Sequence, residues 1–235
     1  MDAVIVGTIV GGLALDQYWP AHGQLAVSIV TWIVLAALWH RSSPRERLAL
    51  AACLLFATAG EVFLSLGWGL YAYRLDNIPF FVPPGHVLLF FLGTRIAARL
   101  PTGAEWWIAL GALPLVALFA GLGRDTLGPL LFALFFACMV LSPARKLYAT
   151  MFVLSLAMEL YGTWIGNWRW SAQVPWLGLT ADNPPIAAGA FYCVLDLLVV
   201  ATAARLGALA SPQSPASTAG TPSIASHQVA TWSAR

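Results

Sequence analysis

The chain is a succession of long apolar runs separated by short polar breaks, and this pattern limits its fold more than any other feature. Of its 235 residues, 60% are hydrophobic and only 9% are charged, a composition far from that of soluble domains. A helix needs about 20 mostly apolar residues to cross the hydrocarbon core of a membrane. We therefore expect an all-α integral membrane protein with little sequence left for a soluble domain.

The apolar runs predict eight transmembrane helices. They lie at about 3–19, 23–39, 48–68, 86–100, 106–122, 128–142, 147–166 and 186–207. Residues 1–208 then form one membrane domain. Residues 209–235 are rich in Ser, Pro, Ala and Thr and are expected to be a disordered cytoplasmic tail, because they carry too few bulky apolar side chains to fold. The first run follows Asp2 without a basic segment, which favours a retained helix over a cleaved signal.

The basic residues orient the predicted helices, since cytoplasmic loops carry an excess of Lys and Arg. Placing both termini in the cytoplasm puts most of these residues on or near that face, namely Arg41, Arg45, Arg47, Arg99, Arg145, Lys146 and Arg205. Only Arg74, Arg124 and Arg169 then lie on the other side. The expected location is the inner (plasma) membrane of a bacterium.

Two segments share one pattern, which indicates an internal repeat of about 1–100 and 105–208. Residues 61–90 and 159–196 each begin with a glutamate inside an apolar run and continue through Gly-x-aromatic-x-aromatic to paired prolines. The corresponding residues are Glu61 and Glu159, Gly69-x-Tyr71-x-Tyr73 and Gly166-x-Trp168-x-Trp170, Pro83-Pro84 and Pro184-Pro185, and Arg95 and Asp196. Because each copy would contribute four helices in the same orientation, we predict two parallel four-helix repeats.

Three carboxylates and one histidine are the candidate catalytic residues: Glu61, Glu159, Asp196 and His86. Ionisable side chains at membrane depth are costly and tend to face the bundle interior, a partner or a water-filled cavity. The alternative is a structural role in ion pairs such as Glu61 with Arg95 or Glu159 with Arg169. No metal site is expected, because no HxxxH, HExxH or ExxH spacing is present and Cys53, Cys138 and Cys193 lack CxxC spacing.

Aromatic side chains crowd the two long connections at about 69–85 and 167–185. One interpretation is an aromatic belt at the level of the lipid headgroups. The other is a lid or partly re-entrant loop above a cavity, because irregular backbone at membrane depth must be buried or face water. On the second interpretation the candidate substrate-binding residues are Trp68, Tyr71, Tyr73, Trp164, Trp168 and Trp170.

The order of carboxylate, Gly-x-aromatic-x-aromatic and proline-rich helix entry resembles the small integral-membrane enzymes of carotenoid biosynthesis, the heterodimeric or fused lycopene cyclases and the bisanhydrobacterioruberin hydratases. Glu159, Gly162, Gly166, Trp168 and Trp170 are similar to the hydratase pattern. In the cyclases paired glutamates follow the proline-rich entry. This chain has Gly85-His86 and Ile186-Ala187 there.

The resemblance implies protonation of a long apolar polyene by a buried carboxylic acid, with aromatic faces stabilising a carbocation. We expect an enzyme that acts on a lipid-soluble, isoprenoid or carotenoid substrate at a cavity toward the outer face, without a cofactor. The alternatives are a proton- or cation-coupled transporter or lipid-binding protein, and a membrane scaffold whose charges only pair. Nucleic acid is not an expected partner, because no basic cluster is interleaved with aromatics, and the sequence indicates no oligomeric state.

Overall fold

The computed structural model describes residues 1–210, and each of the eight predicted apolar segments contains an α-helix there. The helices are α1 (Asp2–Tyr18), α2 (Gly23–Arg41), α3 (Pro44–Glu61), α4 (Val82–Ala97), α5 (Ala104–Gly121), α6 (Gly128–Leu141), α7 (Arg145–Ile165) and α8 (Gly189–Ala210). A π-helical turn, Val62–Gly67, continues α3. Four of these helical segments are long and apolar enough to cross a membrane: α2, α3 with its π-turn, α5 and α8.

Several predicted boundaries differ from the structure by three or four residues. The fourth helix begins at Val82, before the paired prolines, because Pro83 and Pro84 lie in its first turn, where a missing N–H breaks no hydrogen bond. At the other end of the chain α8 continues to Ala210, so the first two residues of the predicted tail are helical. The rest of that tail, 211–235, lies outside the described residues.

Four helices form the centre of the bundle. α3 packs on α4 and α8, and α7 packs on the same two helices. Around this centre, α1 packs mainly on α2, α5 packs on α6 and α7, and α6 packs on α8. The three candidate carboxylates, Glu61, Glu159 and Asp196, all belong to central helices and are all buried.

Backbone and side-chain contacts join separate parts of the chain at both ends of the bundle. At one end, which we call the strand end, Tyr71–Tyr73 (β1) pairs antiparallel with Trp168–Trp170 (β2). There the connection from α5 to α6 is also joined to 166–188, through the Arg124–Asp182 ion pair at 2.7 Å. At the opposite end Asp2 forms an ion pair with Arg95 at 2.7 Å, and the Lys146 ammonium donates to the Leu100 carbonyl. Successive helices therefore run in alternating directions between the two ends.

Asp125 connects the start of α6 with the segment that precedes α8. One of its carboxylate oxygens accepts the Gly128 N–H at 2.9 Å and the other accepts the Ile186 N–H at 2.6 Å. The side chain is fully buried. Both backbone donors would lose their partner if the carboxylate were removed, so Asp125 stabilises the contact between two connections.

Asp125→Ala is expected to lower the free energy of unfolding by about 1–3 kcal/mol, the usual cost of leaving a buried donor unsatisfied. Thermal unfolding in detergent measures this difference. Gln173→Ala is the control, because Gln173 is an exposed polar residue of the 166–188 connection. Equal melting of the two variants would contradict a structural role for Asp125.

Candidate functional site

Glu61 ends α3 at the point where the helix changes from α to π geometry. π-turns of this kind are frequent at functional sites. Its side chain is buried, and one oxygen, Oε2, accepts hydrogen bonds from the Tyr71 and Tyr73 hydroxyls at 2.8 and 2.6 Å. The other oxygen, Oε1, lies 3.4 Å from His86 Nε2. Among residues 1–210, every polar contact of the Glu61 carboxylate is therefore with a side chain that can itself exchange a proton.

Glu159 lies near the strand end of α7 and has a similar surround. Its Oε2 accepts hydrogen bonds from the indole N–H groups of Trp168 and Trp170 at 2.7 and 3.0 Å. Its Oε1 accepts the Tyr192 hydroxyl at 3.0 Å. Because indole N–H groups only donate, Oε2 is fixed as an acceptor, and Oε1 is the oxygen that can carry a proton.

The paired strands explain why the two glutamates have matching partners. In β1 and β2, Tyr71 lies opposite Trp170 and Tyr73 lies opposite Trp168. Side chains alternate across a strand, so the two aromatic rings of each strand point to the same side, toward the helices. Both strands are buried at their first and last residues and exposed at the middle one. The four aromatic rings thus form a layer that covers both carboxylates at the strand end.

His86 and Tyr192 lie between the two glutamates. The Val82 carbonyl lies 3.0 Å from His86 Nδ1, and since a carbonyl only accepts, we assign the proton of the neutral ring to Nδ1. Nε2 then faces Glu61 as an acceptor, so that one proton can be shared between Glu61 Oε1 and His86 Nε2. The His86 ring stacks on Tyr192 with centroids 4.8 Å apart and planes inclined by 4°. The stack links the surround of Glu61 to that of Glu159.

A cavity of about 50 Å³ lies beneath the aromatic layer and reaches both glutamates. Its polar wall includes Glu61, Glu159, His86 and the hydroxyls of Tyr71, Tyr73 and Tyr192, and most of the remaining wall is apolar. The apolar part comes mainly from α1, α2, α4 and α7: Ile9, Leu13, Val27, Val82 and Met158. Such a cavity suits a small reactive group at the end of an apolar molecule.

The structure separates three of the predicted site residues, Asp196, Trp68 and Trp164, from this cavity. Asp196 lies elsewhere in the bundle, close to Cys53, Cys138, Cys193 and Tyr148. Within residues 1–210 neither of its carboxylate oxygens has a hydrogen-bond partner.

The tryptophans fall into two groups. Trp168 lines the cavity, and Trp170 bonds Glu159 from just outside the cavity wall. Trp68 donates to the Pro175 carbonyl and stacks on Trp176, and Trp164 is 82% exposed on α7. Trp68 and Trp164 therefore do not line the cavity. The aromatic residues of the two connections thus divide between a buried layer over the cavity and an exposed outer rim.

The ion pairs considered as an alternative role for the glutamates are not present. Arg95 pairs with Asp2, and Arg169 is the exposed middle residue of β2. A different buried pair exists at the end of α1, where Asp16 contacts Arg74 at 3.2 Å and accepts the Asn167 amide at 2.8 Å. Asp16 thereby holds α1 against both strand-bearing connections.

Gly162 explains how the Trp168 ring reaches Glu159. A Cβ atom at Gly162 would overlap the six-membered ring of Trp168, so the absence of a side chain lets the indole pack directly against α7. We expect Gly162→Ala to lower the free energy of unfolding by about 1–3 kcal/mol, a typical cost of overpacking. Detergent melting of Gly162→Ala and of Gly111→Ala provides the measurement, because an added Cβ at Gly111 meets no neighbour. An unchanged melting temperature in Gly162→Ala would show that the ring is not held there.

The described residues, 1–210, contain no group of three or more His, Cys, Asp or Glu side chains that could hold a metal ion. No family model matches the chain, and comparison with curated proteins and with solved structures gives no match either. The geometry of the site is therefore the basis for assigning a function.

Proposed function

We propose that the protein is a membrane-embedded enzyme that protonates a carbon–carbon double bond of a lipid-soluble, isoprenoid-type substrate. The observation that carries the proposal is the presence of two buried carboxyls in one largely apolar cavity, each bonded by two aromatic side chains of the paired strands. The resemblance to carotenoid cyclases and hydratases supports the same class of reaction. Acid–base chemistry of this kind requires no cofactor.

Glu159 is the proton donor in this proposal. Its Oε1 carries the proton, while the two indole donors on Oε2 and the Tyr192 hydroxyl stabilise the carboxylate that remains after transfer. The Oε1–H bond breaks, and the π electrons of the substrate double bond form a new C–H bond. The positive charge is left on the more substituted carbon. The aromatic faces beside the cavity stabilise that carbocation electrostatically.

The Glu61–His86 pair is the base that completes the reaction. It accepts a proton from the carbon next to the carbocation, which gives a rearranged or cyclised alkene, or from a water molecule that adds to the carbocation, which gives an alcohol. In both cases one proton is taken up and one is released, so the reaction balances without an oxidant. The proton returns to Glu159 through water in the emptied cavity between turnovers.

The membrane arrangement belongs to the same proposal. Eight alternating helices with contacts between connections at both ends support eight crossings, with the strand end on the outer side and both termini in the cytoplasm. The matched partners of Glu61 and Glu159, and the antiparallel pairing of corresponding aromatic residues, support two related four-helix units. Helix α1 departs from this relation. In two related units α1 would correspond to α5 and α4 to α8, but α1 packs on α4 whereas α5 packs on α7.

Deuterium incorporation tests the proposed reaction directly. The purified protein in lipid nanodiscs is incubated in D₂O with lycopene, an acyclic polyene with isopropylidene ends, and separately with lipid that co-purifies with the protein. We expect carbon-bound deuterium in recovered substrate or product by mass spectrometry, and none with Glu159→Gln. Absence of deuterium from every lipid recovered with the wild-type protein would contradict protonation of a double bond.

Asp196 favours a second candidate function, a proton- or cation-coupled transporter. A fully buried carboxyl without a hydrogen-bond partner among residues 1–210 is costly unless it is neutral or binds a cation. Asp196 takes no part in the proposed enzymatic reaction. Proton flux into liposomes that depends on Asp196, and persists in Glu159→Gln, would favour transport over catalysis.

A further inference from the structure

The cavity is closed at the strand end. Tyr71, Tyr73 and Trp168 line it there, and all three are more than nine-tenths buried. On the α2 side the lining residues Val27 and Thr31 are buried as well. A substrate therefore has no open route from the strand end or past α2.

The lining residues that are only half-buried show where the cavity approaches the surface. Those on α4, Gly85 and His86, face the cavity itself, because α4 is surrounded by α1, α2, α3 and α7. The others are Thr8 and Ile9 on α1 and Met158 on α7. The boundary between α1 and α7 is thus the side on which the wall is thinnest.

Helices α1 and α7 pack on each other sparsely, since α1 makes most of its contacts with α2. Within residues 1–210 a single side-chain hydrogen bond joins the two helices, from the Tyr161 hydroxyl to the Val10 carbonyl at 3.2 Å. Both helices expose apolar side chains beside this boundary: Val6 and Val10 on α1, Leu160 and Trp164 on α7. In a membrane those side chains face lipid tails.

We infer that the cavity is loaded sideways from the bilayer, through the boundary between α1 and α7, by an apolar chain dissolved in the membrane. This inference depends on the proposed function for the identity of the reacting group, but not for the route. The reactive end of the chain reaches Glu159 and His86, and the rest of the chain remains between α1 and α7 among apolar side chains. The Tyr161–Val10 hydrogen bond opens when the chain enters.

Photolabelling tests the route separately from the reaction. The probe is a geranylgeranyl hydrocarbon with a diazirine at its isopropylidene end, incorporated into nanodiscs that contain the full chain. Mass spectrometry should find the label on peptides that contain His86 or Tyr192. Met158→Trp and Thr8→Trp add bulk at the boundary and should each abolish this labelling. Leu118→Trp is the matched control, because Leu118 is exposed on α5, which packs on α6 and α7, and does not line the cavity.

Further variants keep the result interpretable. Tyr161→Phe removes the hydrogen bond and should increase the labelling rate, which distinguishes a blocked route from a misfolded protein. Glu159→Gln should keep its labelling while it loses deuterium transfer, so a failure of the route and a failure of the reaction give different patterns. Labelling of His86 or Tyr192 that is unchanged in both Met158→Trp and Thr8→Trp would overturn the inference.

Discussion

Glu159→Gln is expected to reduce turnover by roughly a hundredfold or more, the contribution usual for a positioned general acid. The substitution suits the site, because the amide oxygen can still accept from Trp168 and Trp170, and the amide N–H₂ can donate to the Tyr192 hydroxyl. Only the transferable proton is lost. We therefore expect the variant to insert and to melt close to the wild-type temperature. Activity toward the lipid substrate and detergent melting are measured on one preparation.

Glu105→Gln is the matched control for this experiment. Glu105 is also a buried glutamate, but it lies at the start of α5, where its carboxylate accepts the Gly103 N–H. It does not line the cavity, so its replacement should leave turnover unchanged. Full activity in Glu159→Gln with lowered stability would mean that Glu159 has a structural role and would remove the main support for the enzyme proposal.

The helices and the two glutamates could be predicted from the sequence because their signals are local. Apolar runs of sufficient length give helices, and a carboxylate within such a run must find a buried partner or a cavity. The repeated pattern around Glu61 and Glu159 also indicated that aromatic residues would accompany both. Their pairing as strands could not be predicted, because three residues carry no period that distinguishes a strand from a loop.

Other parts of the site depend on long-range packing. Tyr192 lies in the apolar run of α8, with no polar pattern beside it, and its contact with Glu159 spans 33 positions of the chain. Asp196 lies one turn further along the same helix, yet it is not among the residues that line the cavity. A sequence does not show which face of α8 turns toward α7, or how far α8 is shifted along the axis of α7. Asp16, within the first apolar run, acquires its partners Arg74 and Asn167 solely through the fold.

Glu61→Gln is expected to separate the two proton transfers. The amide oxygen can accept from the Tyr71 and Tyr73 hydroxyls, and the amide N–H₂ can donate to His86 Nε2 in the tautomer assigned above. The fold should therefore be retained, while the base that removes a proton from the carbocation is lost. We expect product formation to fall by roughly a hundredfold.

Deuterium exchange into the substrate should distinguish Glu61→Gln from Glu159→Gln. In Glu61→Gln, Glu159 can still protonate the substrate and take a proton back, so unreacted substrate recovered from D₂O should contain carbon-bound deuterium although little product forms. In Glu159→Gln both exchange and product should disappear. Loss of exchange in both variants would mean that the two carboxyls act as one unit. Unchanged product formation in Glu61→Gln would show instead that Glu159 acts without the Glu61–His86 pair, and that the proton shared by the pair serves only to hold α3 and α4 together.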